Sequence, residues 1–162
     1  MLLPAALLAL ATPTIAADSF VGSMSVLGQT NRELADGSAL LERGDVQRGL
    51  RLTQSGLQSA TLSREERAAG ESNLCGAYAA LRNWDTALTH CLVSIELDPN
   101  NWRAYNNRAA CYVGRGEYDR ALADVETALG LAPGSATLKL SLQIVLDHRR
   151  VSRDQAQRAR KS

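Results

Sequence analysis

The chain repeats its own sequence at a step of 34 residues. The pairs that keep this step are Asn73 and Asn107, Tyr78 and Tyr112, Asp85 and Asp119, Ala87 and Ala121, Leu88 and Leu122, Leu97 and Leu131, and Pro99 and Pro133. Each copy has the pattern of one helix, a tight turn and a second helix. A fixed period of this length predicts a solenoid, because each unit of a solenoid buries its apolar face against the next unit.

Small residues recur at fixed positions within the two copies. They are Cys75, Ala87 and Ser94 in one copy and Ala109, Ala121 and Ala128 in the next. Packed helices lie only about 8–10 Å apart, so a close contact has no room for a large side chain. The pattern therefore predicts that the helices of each copy cross closely at these positions.

The two copies resemble the tetratricopeptide repeat family, which has small residues where paired helices touch, an aromatic residue after the turn and a closing proline. Here the turn aromatics are Trp84 and Tyr118, and Tyr78 and Tyr112 lie in the first helix of each pair. The resemblance implies an all-α right-handed superhelix of about three helix-turn-helix repeats plus a C-terminal capping helix. An aromatic content of only 4%, with many Ala and Leu residues, fits such thin helical layers.

The repeat pattern divides residues 30–150 into units of 30–62, 64–101, 102–135 and a capping helix at 136–150. The first unit is divergent, and its glycines Gly49 and Gly56 keep the seven-residue step that separates Ala87 from Ser94. Each glycine inside a helix costs roughly 1 kcal/mol relative to alanine, so we expect this unit to be the loosest.

Two capping boxes predict where helices begin. They are Thr30 with Glu33, and Ser63 with Glu66, in which each side chain satisfies a backbone donor of the first turn. The offset between the first and second units is 38 residues instead of 34, which predicts that the helix after Ser63 is lengthened at its start.

Residues 1–17 have the order of a secretory signal peptide, with an apolar run followed by the small pair Ala16-Ala17 before Asp18. The segment lacks a Lys or Arg near Met1, and a buried apolar N-terminal segment is the alternative interpretation. Residues 18–29 show no helical or strand period and are predicted to be a flexible lead-in. These features predict a protein that is exported and is periplasmic or secreted.

The C-terminal tail, residues 151–162, belongs to a strongly basic end of the chain. From Arg149 onward there are six basic residues and one acid, a charge of +5, while the rest of the chain has −4. Such a tail is a solvated end or makes a weak contact with an anionic surface, either lipid headgroups or an acidic partner. No aromatic platform accompanies the basic residues, so we predict no binding to nucleic acid.

No motif in the sequence indicates catalysis, a cofactor or a metal. The adjacent residues His90 and Cys91 would point about 100° apart on a helix, and His148 is distant in sequence. We therefore predict no metal site, no cofactor and no enzymatic activity, with His90 solvated beside a core cysteine.

The three cysteines are Cys75, Cys91 and Cys111. In an antiparallel helix pair, Cys75 lies opposite the segment in which Cys91 faces inward, so these two are the candidates for a disulfide in an oxidising compartment. The alternative is that all three are small buried residues of the core.

In the resembled family, the first helices of the pairs line a concave face that binds an extended peptide. The resemblance makes Asn73 and Asn107 candidates for hydrogen bonds to a peptide backbone, and Arg103 and Asn106 lie on or near the same face. A structural amide that ties neighbouring helices is the alternative for Asn73 and Asn107. The residues at the positions that complete the family's carboxylate clamp are neither basic nor amide, so that clamp is not predicted; they are Ala69, Ser72 and Gly76.

The sequence thus predicts an exported scaffold that binds a peptide or protein partner of unknown identity on its concave face. A thiol-redox or other small periplasmic enzyme is one alternative, and a structural subunit that stacks on copies of itself is another.

Overall fold

The computed structural model describes residues 31–161, which form seven α-helices and no strand within that range. The helices are α1 (Arg32–Glu42), α2 (Val46–Gly56), α3 (Arg64–Ala80), α4 (Trp84–Leu97), α5 (Trp102–Gly114), α6 (Tyr118–Leu131) and α7 (Ala136–Ala159). The signal peptide and the lead-in predicted at 1–17 and 18–29 lie outside the described residues.

The first six helices form three pairs, α1 with α2, α3 with α4 and α5 with α6, and α7 packs against α6. Each pair is joined by a tight turn that contains one residue in the left-handed region. These residues are Gly44 with φ of 80°, Arg82 with φ of 57° and Gly116 with φ of 76°. Arg82 holds the place of a glycine, and a side chain there is strained because its Cβ crowds the following carbonyl.

The small residues of the repeat lie where the helices cross, as predicted. The fully buried set includes Cys75, Ala87, Ser94, Ala109, Ala121 and Ala128. In the first pair, glycines occupy the positions at which the two helices cross. A Cβ on Gly49 would lie 2.6 Å from Cγ of Leu41 and 3.0 Å from the carbonyl oxygen of Gly37. Glycine at this position therefore permits a closer approach of α1 and α2 than alanine does.

The helix starts agree with one of the two predicted capping boxes. Ser63 and Glu66 form the reciprocal box, and α3, with 17 residues, is longer than α5, with 13. At the first helix the N-cap is Asn31, whose side chain accepts a hydrogen bond from the backbone N–H of Leu34. The capping residue of α1 is therefore Asn31 and not Thr30, since an asparagine oxygen caps a helix as well as a threonine oxygen.

The packing of the helices gives the molecule an inner and an outer face. The first helices contact one another in order, α1 with α3, α3 with α5 and α5 with α7, whereas the second helices α2, α4 and α6 have no contacts of comparable extent among themselves. Because the first helices lie closer to one another than the second helices do, the stack of helix pairs curves toward the first helices. We call the surface formed by α1, α3, α5 and α7 the inner face, and that formed by α2, α4 and α6 the outer face.

The last helix covers the open side of the third pair. Its residues Leu138, Ser141 and Val145 are buried, and Val145 joins a cluster with Val125 and Ala121 of α6. The helix does not end near residue 150 but continues to Ala159, and from Arg153 to Lys161 its residues are exposed. Within 31–161, no helix is both long and apolar enough to cross a membrane.

Candidate functional site

The three asparagines predicted on the inner face are fully buried. Asn73 lies on α3, and Asn106 and Asn107 lie on α5. The Nδ2 atom of Asn107 donates a hydrogen bond to the carbonyl oxygen of Ser72 over 3.0 Å, which links α5 to α3. This contact supports the structural alternative for Asn107, and the partner-binding role of the three amides stays a prediction.

Arg103 is the cation of the inner face. Its Cζ atom lies 4.3 Å from the centre of the Trp102 ring, and its side chain is half-buried. Burial lowers the pKa of Arg103, and the negative charge of Glu42 opposes that effect. A guanidinium has no plausible neutral form at neutral pH, so this partly dehydrated charge favours a carboxylate as its neighbour. The four-residue step between Arg103 and Asn107 places both on one side of α5.

The last helix adds apolar residues to the same face. By the 34-residue step, Leu140 and Ile144 of α7 occupy the positions that Asn106 and Ala110 hold in α5. Leu140 is 49% exposed, so it offers apolar surface on a helix whose other face is well buried. Neither residue was predicted from the sequence, although the position one period after Asn106 identifies Leu140, and Ile144 lies one helical turn further on.

A cavity of about 300 Å³ lies between α1 and α3 at the start of the same face. It is lined by residues that include Leu41, Glu42, Val46, Gly76 and Ala80. The first residue of α2 is Val46, whereas the first residues of α4 and α6 are the aromatic residues Trp84 and Tyr118. The Trp84 ring fills the space beside Gly114, since a Cβ on that glycine would lie 2.6 Å from it. The smaller Val46 leaves the equivalent space of the first pair open.

Ion pairs at the same end of the helix pairs, beside the turn within each pair, repeat with the sequence. Arg115 of one unit lies 2.7 Å from Asp85 of the preceding unit, and Arg149 lies 2.6 Å from Asp119 in the same relation one period later. Within the third pair, Arg108 binds Asp124 through two hydrogen bonds of 2.7 and 2.8 Å, and this contact raises the pKa of Arg108. These charges have structural partners.

Cys75 and Cys91 are joined by a disulfide that links α3 to α4. Cys111 is free and buried, and its burial raises the pKa of the thiol to about 12. A reactive cysteine needs an accessible thiol with a lowered pKa, because the thiolate is the nucleophile. Cys111 has neither property, which counts against the thiol-redox alternative.

His90 is not the solvated residue that the sequence suggested. Its Nδ1 atom lies 2.7 Å from Oε2 of Glu71, and its ring stacks on Tyr78 with centroids 5.3 Å apart. Glu71 is 19 residues away in sequence on α3, so only the pairing of α3 with α4 brings the two together. Among residues 31–161, no cluster of His, Cys, Asp and Glu has the composition of a metal site.

A family model described as "Tetratricopeptide repeat" matches residues 90–123, which run from α4 to the start of α6. Mouse sperm-associated antigen 1 is 28% identical over 115 residues, which are 71% of this chain and 12% of that protein. The chain thus spans about 12% of the length of the first curated relatives that it matches.

Two solved structures are similar over most of the described helices. The first TPR domain of human RPAP3 has a TM-score of 0.65 at 17% identity, covering 75% of this chain and 93% of that one. The second TPR domain of the same protein, solved with an Hsp70 peptide, has a TM-score of 0.58 at 23% identity, covering 70% and 91%. These similarities confirm the predicted fold, a right-handed all-α superhelix of three helix pairs with a capping helix.

Proposed function

We propose that this tetratricopeptide-repeat chain is an exported scaffold that binds an extended segment of another protein on its inner face. The observation that carries the proposal is the continuous surface formed by α1, α3, α5 and α7, in which each first helix contacts the next. Similar domains have been solved with peptides bound, namely the second TPR domain of human RPAP3 with SGPTIEEVD and the first TPR of Spaghetti (RPAP3) with SRMEEVD. A fold alone does not give a function, so the ligand chemistry is argued from the residues of this face.

The inner face favours a ligand that is not the acidic peptide of those complexes. Both of those peptides end in Glu-Glu-Val-Asp. The positions that would complete a carboxylate clamp are held by Ala69, Ser72 and Gly76, which carry no charge. Arg103 supplies one positive charge, and Leu140 with Ile144 supplies apolar surface. We therefore propose a segment that places one carboxylate near Arg103 and an apolar side chain near Leu140.

Export is the second half of this proposal. It is supported by the signal-like sequence of residues 1–17 and by the disulfide between Cys75 and Cys91, since disulfides persist mainly in oxidising compartments. Expression of the full chain in a bacterium that exports proteins, followed by N-terminal sequencing of the product, tests it. A mature protein that begins at Asp18 in the periplasm supports export, and an uncleaved chain in the cytoplasm contradicts it.

The binding proposal is tested with a displayed peptide library selected on the purified chain. The best peptide is then measured by calorimetry against Leu140→Glu, and the matched control is Leu92→Glu. Leu92 lies on α4 of the outer face and is 48% exposed, close to the 49% of Leu140, so both changes add one charge at equal exposure. We expect Leu140→Glu to weaken binding by roughly tenfold or more, because a buried apolar contact of ~1.5–3 kcal/mol is replaced by a charge.

The result decides which face binds. Equal affinity of both variants and the unchanged chain would place the ligand elsewhere and overturn the inner-face proposal. Loss in Leu92→Glu alone would move the site to the outer face.

A further inference from the structure

The C-terminal half of α7 is a basic helix that leaves the body of the protein. Its basic residues are Arg149, Arg150, Arg153, Arg158, Arg160 and Lys161, and one acid, Asp154, lies among them. Steps of four and seven residues place Arg149, Arg153 and Arg160 on one side of the helix. From Arg153 onward the helix is exposed, so this charge is available to a partner.

Two shallow grooves lie beside Arg149 and Arg153. The first, of about 350 Å³, separates them from the α5–α6 turn and is also lined by Arg120 and by the acids Glu117 and Asp119. The second, of about 300 Å³, runs along α7 and is also lined by Leu146, Arg150 and the acid Asp154. The two arginines therefore form a ridge between grooves, a shape that accepts an extended chain on either side.

The nearby carboxylates offset only part of the positive charge of this region. Glu117 is shared by Arg115 and Arg120, at 2.6 and 2.5 Å, and Asp119 lies 2.6 Å from Arg149. Arg153 is 3.8 Å from Asp119, too far for a hydrogen bond, and its side chain is 60% exposed. Arg120 also donates to the hydroxyl oxygen of Tyr112, and Arg150 lies 3.5 Å from Asp147. The side chains of Arg120 and Arg150 are still 61% and 71% exposed, so a partner's carboxylate can reach them from the solvent.

We propose that this basic surface, formed by Arg120, Arg149, Arg150, Arg153 and Arg160, is a second docking site that binds an acidic segment of a partner protein. It lies beyond Leu140 and Ile144, the α7 residues of the peptide-binding proposal, and does not depend on that proposal. The partner would place Asp or Glu side chains along the two grooves. Charges on opposite partners steer their encounter and fix their register.

Two features favour a protein partner over a lipid surface. Five of the six basic residues are arginines, whose planar fork matches carboxylates through two hydrogen bonds. In the third helix pair, Arg108 binds Asp124 through two hydrogen bonds of this kind. A helix that lies in a membrane interface carries large apolar residues on its other side, whereas residues 150–161 contain only Val151 and alanines as apolar residues.

The test uses the full-length chain and a fluorescent decaglutamate peptide, with a decaglutamine peptide as the neutral probe and phosphatidylserine vesicles as the lipid probe. We expect anisotropy to show binding to decaglutamate that exceeds binding to decaglutamine and falls as salt rises. The variant Arg153→Gln with Arg160→Gln removes two charges from the basic surface and should weaken decaglutamate binding by roughly fivefold. Among residues 31–161, Arg153 has only the 3.8 Å contact with Asp119 and Arg160 has no ion pair, so circular dichroism should show the same helix content.

The matched control is Arg51→Gln with Lys139→Gln, which makes the same change in net charge. Both residues are exposed; Arg51 lies on α2, and Lys139 lies on α7 away from the ridge. The control should bind decaglutamate like the unchanged chain. The proposal is overturned if the control loses as much affinity as the variant of the basic surface, if decaglutamate does not bind at low salt, or if only the vesicles bind.

Discussion

At the scale of single residues, Asn107 of the inner face has two candidate roles. Asn107 was selected from the sequence as a ligand contact, and in the structure its side chain bonds the backbone of Ser72 across two helices. The same nitrogen also lies 3.5 Å from the hydroxyl oxygen of Ser72, and the side chain is fully buried. Stability and binding measurements on separate variants distinguish the two roles.

The variant Asn107→Ala should lower the free energy of unfolding by about 1–3 kcal/mol, because the α3–α5 hydrogen bond is lost in a buried place. Urea unfolding followed by circular dichroism measures it. Asn100→Ala is the control, since Asn100 is exposed in the loop before α5 and should change stability by less than about 0.5 kcal/mol. A neutral Asn107→Ala would favour the ligand role.

Thiol titration should distinguish the three cysteines. The native protein should react with no more than a trace of reagent at pH 8, because Cys111 is buried and its pKa of about 12 leaves it almost entirely protonated. Unfolding without reductant should release one reactive thiol, and unfolding after reduction should release three. Three thiols without reductant would show that Cys75 and Cys91 are not bonded.

At the scale of helix pairs, close contacts depend on small residues at a few crossing points. Ala121 of α6 is fully buried against the cluster that contains Tyr112 and Val125. Its equivalent in the preceding unit is Ala87, which is buried as well. The small residues that recur in the sequence are therefore the residues at which the helices cross.

The variant Ala121→Leu should destabilise the protein by roughly 1–3 kcal/mol, since the added volume forces the two backbones apart. Ala123→Leu is the control, because Ala123 is exposed on the same helix only two residues away. Chemical unfolding of both variants gives the comparison. If Ala121→Leu were as stable as the control, α5 and α6 would not cross at this position.

At the scale of the whole molecule, α7 has two halves with different roles. Residues up to Ser152 cover the third pair, and those from Arg153 onward are exposed. A solenoid of this kind depends on a terminal element to shield its last apolar face.

Truncation should separate the two roles. A chain that ends after Asp154 should unfold at nearly the same urea concentration as the full chain, since the residues removed bury little apolar surface. A chain that ends after Ala132 exposes Val125 and the cluster around it, so we expect a large fall in stability or no folding. The unfolding midpoints of the two truncated chains test this, and equal midpoints would mean that α7 does not cover the core.

The sequence by itself determined the period, the helix pairs and the close crossings. Small residues every 34 positions encode contacts between neighbouring helices, and such contacts need only local sequence and one repeat step to be predicted. The capping box of Ser63 and Glu66 and the greater length of α3 were likewise local. The N-cap at Asn31 was missed because Thr30 and Asn31 are both good capping residues.

The tertiary structure alone decided which polar groups meet. His90 with Glu71, Arg115 with Asp85 and Asn107 with Ser72 are pairs 19, 30 and 35 residues apart, and each joins different helices. Each of these polar side chains could pair with more than one neighbour. A small residue at a crossing is fixed by the contact between two neighbouring helices. A polar side chain instead pairs with whichever group the packed helices bring within hydrogen-bond distance.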